Sequence, residues 1–209
     1  MKITKLEHSG LCFEKDGQIL LCDPVEFKEQ LLPFNRVAAI IITHKHDDHC
    51  QPETIAKILA ANPSAQIFTT SDTTSLIGGS IAVTSGETRE VGGFKIQFFG
   101  KNHASVIEGE IPCANLGFVV DDLAADPGDS FDIPPVTPKA LFVPISAPWC
   151  KASDAISYIT AVKPEIAIPI HDAVLSDLGK TYSNSWLKIT CDSLGIKFAP
   201  LSSNNFLEV

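Results

Sequence analysis

Between residues 44 and 49 the chain reads His44-Lys45-His46-Asp47-Asp48-His49, so three of its six histidines fall in one short window beside two carboxylates. Neutral imidazole and carboxylate are the ligands that suit Zn, Mn, Fe or Co. His44 and His46 are two positions apart and can point to the same side of a turning backbone, where they would share one ion. Asp48 and His49 are adjacent and offset, which suits them to a second ion nearby. The bland alternative is a polar loop that happens to be rich in histidine, and the specificity of the H-x-H-x-D-H pattern argues against it.

Ligands need a rigid mount. The preceding run, Val37-Ala38-Ala39-Ile40-Ile41-Ile42, is short, apolar and rich in β-branched residues, which predicts a buried strand. Thr43 leads the chain out of it, and Pro52 and Glu53 open a helix over 54–61. Three more residues of ligand type share this context. His103 follows a strand over 94–99, Asp129 follows a short strand over 123–125, and His171 follows a strand over 165–170. Strand ends along one edge of a layered fold are where a site can be assembled from distant segments. Asp126 competes with Asp129 within one turn, and Gly128 favours Asp129 because it allows close backbone approach.

The remaining pattern is strands first, then strand–helix units. Residues 3–6, 11–14 and 18–22 read as strands, with Asp16-Gly17 as a hairpin turn. Further strands are predicted over 66–70, 81–84, 90–91, 115–120, 140–145, 197–201 and 206–209. Helices are predicted over 73–79, from a Ser153 cap to Val162, and over 182–194, the last an amphipathic helix closed by Gly195. Residues 104–113 read as a loop and the Pro-rich 131–139 as a linker or lid. No linker is long enough to separate two independent domains, so residues 1–209 are read as one.

Composition narrows the function. Hydrophobic content of 44% with 20% charged residues is that of a globular chain. The apolar runs are too short for a membrane helix, and the N-terminus lacks the apolar core of a signal peptide, so a cytoplasmic protein without a membrane partner is expected. A net charge of −9 disfavours a nucleic-acid binder, which needs a basic face. A small-molecule substrate fits better, and a homo-oligomer is left open. The six cysteines form no C-x-x-C pair and read as reduced thiols.

Taken together, Asp23, His44/His46/Asp48/His49, His103, Asp129 and His171 stand in the order of the five motifs of the metallo-β-lactamase superfamily, which the chain resembles over nearly its whole length. Within it the chain looks most like the ascorbate-6-phosphate lactonase-like branch. That likeness rests on His8-Ser9, Leu21-Cys22-Asp23-Pro24, Gly128-Asp129-Ser130, Lys163-Pro164 and Pro169-Ile170-His171. The resemblance implies an α/β fold of the four-layer αββα type with two divalent metal ions, zinc first and manganese or iron as alternatives. His44, His46 and His103 would hold one ion, Asp48, His49 and His171 the other, and Asp129 would bridge them. Asp23 would hold a ligand imidazole from behind. His8 is read as a turn residue with a smaller chance of reaching the site, and Trp149 and Cys150 receive no role.

The expected chemistry is hydrolysis. Two ions about 3.5–4 Å apart lower the pKa of a bridging water towards 7, and Asp48 or Asp129 would position that water or take its proton. A small ester, lactone or phosphodiester fits this machinery. The alternatives are an iron-dependent dioxygenase on the same fold, or a phosphodiesterase acting on nucleic acid.

Overall fold

The apolar run Val37–Ile42 is a strand buried along its whole length but for a half-buried Ala38, and it lies in the middle of one of two facing sheets. In a computed structural model, residues 1–28, 30–31 and 33–209 are described. The first sheet is laid down almost in chain order: β1 (Lys2–Lys5), β2 (Leu11–Lys15), β3 (Gln18–Cys22), β4 (Val37–Ile42), then helix α1 (Pro52–Ala61), β5 (Gln66–Thr69) and β6 (Ile81–Ala82). The second sheet follows: β7 (Thr88–Val91), β8 (Phe94–Phe99), β9 (Gly117–Val120), β10 (Ala124–Asp126), β11 (Ala140–Pro144), α2 (Ala152–Val162), β12 (Ile166–Ile170), α3 (Asp177–Leu194) and β13 (Lys197–Phe198). The last strand, β14 (Phe206–Glu208), returns to pair with β1, so each sheet has seven strands.

Three apolar clusters show the layering. Phe13, Leu20 and Ile41 from the first sheet pack with Phe98, Phe118 and Phe142 from the second. Ile40 and Ile42 use their other face to meet Ile55 and Ile58 of α1. Leu141, Val143 and Ala167 meet Tyr158 and Ile159 of α2 and Leu187 of α3. The order is helix, sheet, sheet, helix, the expected αββα sandwich. Strands buried on both faces read as continuous apolar runs rather than alternating ones, which is why β4, β11 and β12 stand out in the sequence.

Direction matters more for the site than layer count. β1 and β3 each run antiparallel to β2, and β4 is parallel to β3, so these three strands run the same way. In the second sheet β8 and β10 flank an antiparallel β9, and β12 runs parallel with β10 through β11. Every candidate site residue therefore sits just past the carboxyl end of one of six strands that share a direction within their sheet.

Three local expectations change. Residues 73–79 form turns, not a helix: the Thr70 hydroxyl donates to Asp72 Oδ1 at 2.6 Å and meets Thr73 Oγ1 at 2.7 Å, so side chains close the turn that a helix would need. The last helix starts at Asp177, five residues before the predicted start, because Ser176 caps it by accepting from the Gly179 amide at 3.1 Å. Helix α2 starts from Lys151 instead of Ser153, with the Asp154 carboxylate accepting the Lys151 amide at 3.0 Å. The Asp16-Gly17 hairpin is present, with positive φ at both residues (49° and 73°).

Candidate metal centre

All six histidines of the chain meet at the carboxyl end of the sandwich, although they lie as far apart in sequence as residues 8 and 171. His44, His49, His103 and His171 are buried, and His46 is exposed at the mouth. Asp129 lies among them. One of its oxygens is 3.0 Å from His171 Nε2 and 3.3 Å from His103 Nε2, while the other is 3.2 Å from His49 Nε2. Asp126 faces elsewhere, accepting the Gly128 amide at 2.8 Å, and burial pushes its carboxyl up to about 7. Gly128 makes this turn feasible: its φ is +61°, and a Cβ there would lie 2.4 Å from Asn115 Oδ1, the atom that accepts the Asp129 amide.

The far nitrogen of each buried imidazole fixes what the near one offers. His103 Nδ1 lies 2.6 Å from the Ala104 carbonyl and His171 Nδ1 lies 2.6 Å from the Ser146 carbonyl. A carbonyl can only accept, so both Nδ1 atoms carry the hydrogen. His49 Nδ1 donates to Asp23 Oδ2 at 2.7 Å. The single Thr43 hydroxyl hydrogen goes to Asp23 at 2.6 Å, which leaves Thr43 Oγ1 to accept from His44 Nδ1 at 3.0 Å. In their neutral forms four imidazoles thus present an Nε2 lone pair inward, the tautomer a metal ligand needs. His46 is reversed, with Nδ1 3.1 Å from His44 Nε2. Its Nε2 lies 3.7 Å from Cys113 Sγ.

His8 carries the opposite tautomer. Its Nδ1 accepts the Ala173 amide at 3.2 Å, so the hydrogen sits on Nε2, 3.3 Å from Asp48 Oδ2. It is therefore a donor that orients Asp48, and not a lone-pair ligand, although it lies within ligand distance of Asp48, His49 and His171. His8 is thus more than the turn residue its sequence context suggests. Its position after β1, a strand parallel in direction to β3 and β4, was the available signal.

The donor set fits divalent metal ions. His44, His46 and His103 form one group whose nitrogens lie within 4.8 Å of one another, and Asp48, His49 and His171, with His8, form a second. His44, His49 and Asp129 form a third group that links the two. His49 Nε2, Asp129 Oδ1 and His171 Nε2 are fully buried and have no aligned hydrogen-bond partner among the described residues. Buried polar atoms left without partners are costly, and an ion between them removes that cost.

Electrostatics point the same way. Burial, then the neighbouring His49, hold His44 well below the usual imidazole range, so it stays neutral. Burial alone would also lower His49, but Asp129 and Asp23 on either side raise it well above that range, so without an ion it holds a second proton on Nε2 that a metal would displace. Burial works against ionised Asp129, yet the charge of His49 beside it holds its carboxyl well below the usual range. Asp48 is likewise held down, against burial, by the His8 hydrogen bond and by His49. The carboxylates are charged and ask for cations.

Metal removal should be visible in a melting curve. At free metal about a thousandfold above Kd, binding stabilises by about 4 kcal/mol, or about 8–16 °C for a chain of this size. EDTA should reverse the shift, and the affinity should weaken as the pH falls, starting above the usual imidazole range, because Asp129 and Asp23 help His49 keep a proton that competes with the ion. A melting temperature indifferent to both zinc or manganese and EDTA would show that the donors do not bind metal.

Around the mouth, Trp149 stands with its ring 5.5 Å from His103 and 5.8 Å from His171, and Phe131 meets it edge-on at 5.6 Å. Cys150 faces away, its thiol 3.5 Å from the Pro144 carbonyl and pushed up to about 12 by burial. The six cysteines form no disulfide. Among the described residues no helix is long and apolar enough to cross a membrane.

Residues 2–171 match the profile of the family described as the beta-lactamase superfamily domain. Protein Rv0786c of Mycobacterium tuberculosis is 33% identical over 183 residues, covering 84% of this chain and 86% of that protein. The UPF0173 metal-dependent hydrolase Ta0764 of Thermoplasma acidophilum is 27% identical over 175 residues, covering 76% of this chain and 72% of that protein. The metallo-beta-lactamase fold protein YhfI of Bacillus subtilis superposes with a TM-score of 0.71 at 14% identity, covering 99% of each chain.

Proposed function

The chain belongs to the beta-lactamase superfamily domain family, with a metallo-β-lactamase fold, and from that premise we propose that it is a dinuclear metal-dependent hydrolase of a small ester, lactone or phosphodiester. The observation that carries the proposal is the set of four inward-facing Nε2 lone pairs converging with Asp48 and Asp129 on one space. His44, His46 and His103 would hold one ion, Asp48, His49 and His171 the other, and Asp129 would be shared. Zinc is the first candidate for this nitrogen-rich set, with manganese and iron behind it. When bound, such ions supply Lewis acidity and an activated water.

The chain's own residues do the rest. Asp129, kept ionised by His49, or Asp48 would position the water or take its proton. Asp48 is held in a fixed rotamer by the His8 N–H. Trp149 and Phe131 wall one side of the mouth and keep bulk water off it. The loop from His103 to Cys113 leaves the site and returns to it, carrying exposed Val106, Ile107 and Ile111, which suits an apolar group on the substrate. The narrower likeness to ascorbate-6-phosphate lactonase-like hydrolases, through His8-Ser9 and Gly128-Asp129-Ser130, makes lactones the first substrates to try. The net charge of −9 argues against nucleic acid. A cytoplasmic location and one domain over 1–209 complete the proposal.

The test is a screen of lactones, thioesters and phosphodiesters with zinc- and manganese-loaded protein. Turnover should be abolished by EDTA, restored by metal, and lost in His46→Ala. Near-stoichiometric iron with oxygen consumption, and no hydrolysis, would instead favour the dioxygenase reading.

A further inference from the structure

Helix α3 is apolar on two opposite sides. Leu187 and Cys191 are buried against the second sheet. Leu178, Tyr182, Trp186 and Ile189 are 64%, 64%, 58% and 60% exposed. At 100° per residue these four fall within about 80° of one another, and no charged residue falls among them. A helix that only covers a sheet has one apolar stripe. The outer stripe lies beyond residues 2–171, the stretch that the family profile matches.

From this we propose that the outer stripe of α3 is the interface of a two-fold homodimer, two copies of the helix packing antiparallel. Two features favour a second copy as the occupant. The first is area: the four side chains expose about 500 Å² per chain, so two copies can bury up to about 1,000 Å², the threshold for a specific interface, before flanking contacts from exposed Val174 are added. A patch of that size on a lone chain would mark an interaction site in any case.

The second is self-complementarity, which an interface between identical patches requires. The stripe is nearly palindromic, with an aliphatic residue at each end and two aromatics in the middle. A two-fold axis between Tyr182 and Trp186 lays Tyr182 on the partner's Trp186 and Leu178 beside the partner's Ile189. Buried aromatic pairs of this kind dominate interface energetics.

The test is sedimentation velocity on the full metal-loaded chain from about 1 to 100 µM. The wild type should sediment at twice the 22.5 kDa chain mass. Trp186→Glu, an exposed position, should keep its far-UV circular dichroism and metal content but sediment as a monomer throughout, with the dimer Kd raised at least a hundredfold. Ser185→Cys, close to the proposed axis, should form a disulfide-linked dimer on mild oxidation where the wild type does not, and adding Trp186→Glu should abolish it. A wild type that is monomeric at 100 µM overturns the proposal. So does a Trp186→Glu protein that stays dimeric, and so does a monomer that floats with phosphatidylcholine–phosphatidylglycerol vesicles through this stripe.

Discussion

Asp129→Asn should lose metal from both positions and lower kcat/KM by at least about a thousandfold. The substitution keeps the shape of the side chain and removes its charge. Asp129 contacts His49, His103 and His171 within 3.3 Å, and it is the only carboxylate common to both sides of the cluster among the described residues. A shared charge that is worth several kcal/mol to the transition state corresponds to about three decades of rate. Metal stoichiometry by elemental analysis, read beside turnover, separates loss of the ions from a damaged fold. Retention of two ions per chain and of a tenth of the activity would remove Asp129 from the shared position.

The second large effect lies one layer behind. Asp23→Ala should lower the melting temperature of the metal-free chain by about 6–20 °C and weaken metal affinity by 10- to 100-fold. Asp23 is buried and accepts from the Thr43 amide at 2.8 Å, the Thr43 hydroxyl at 2.6 Å and His49 Nδ1 at 2.7 Å. Removing it strands these donors without water, and breaking a buried pair of this kind costs about 3–5 kcal/mol. Asp23 also has a φ of +42°, a conformation asparagine tolerates better than alanine. Asp23→Asn should therefore recover much of the stability but little of the metal affinity. A thermal scan showing less than about a 2 °C loss for the alanine variant would mean the network is not what holds His49.

These two residues also mark what a one-dimensional reading can reach. The window at 44–49 is legible because its ligands are contiguous and the strand beneath it is an unbroken apolar run. His103, Asp129 and His171 are legible only through their shared place after strands. His8 was undervalued because its role depends on the Ala173 amide, 165 residues away, which fixes the ring's tautomer. Cys113 beside His46 was invisible for the same reason: a loop with no period gives no hint of where its end returns. The helix expected over 73–79 failed where Thr70, Asp72 and Thr73 preferred one another to the backbone. In α3 the expected amphipathic pattern was right about the inner face and silent about the outer one, since exposure is settled by what packs against a helix.

The four Nδ1 atoms that set the inward lone pairs do not share one kind of acceptor. His103 and His171 lean on main-chain carbonyls at Ala104 and Ser146, whereas His44 and His49 lean on Thr43 and Asp23. A carbonyl survives any substitution at its own position, so half of the orientation is written into chain trace and half into side-chain identity. Positions 104 and 146 can drift as long as the loops keep their path, while 23 and 43 are bound to each other and must change together or not at all. The site thus carries two unequal exposures to mutation, and saturation libraries at these four positions should sort cleanly into a permissive pair and an intolerant one.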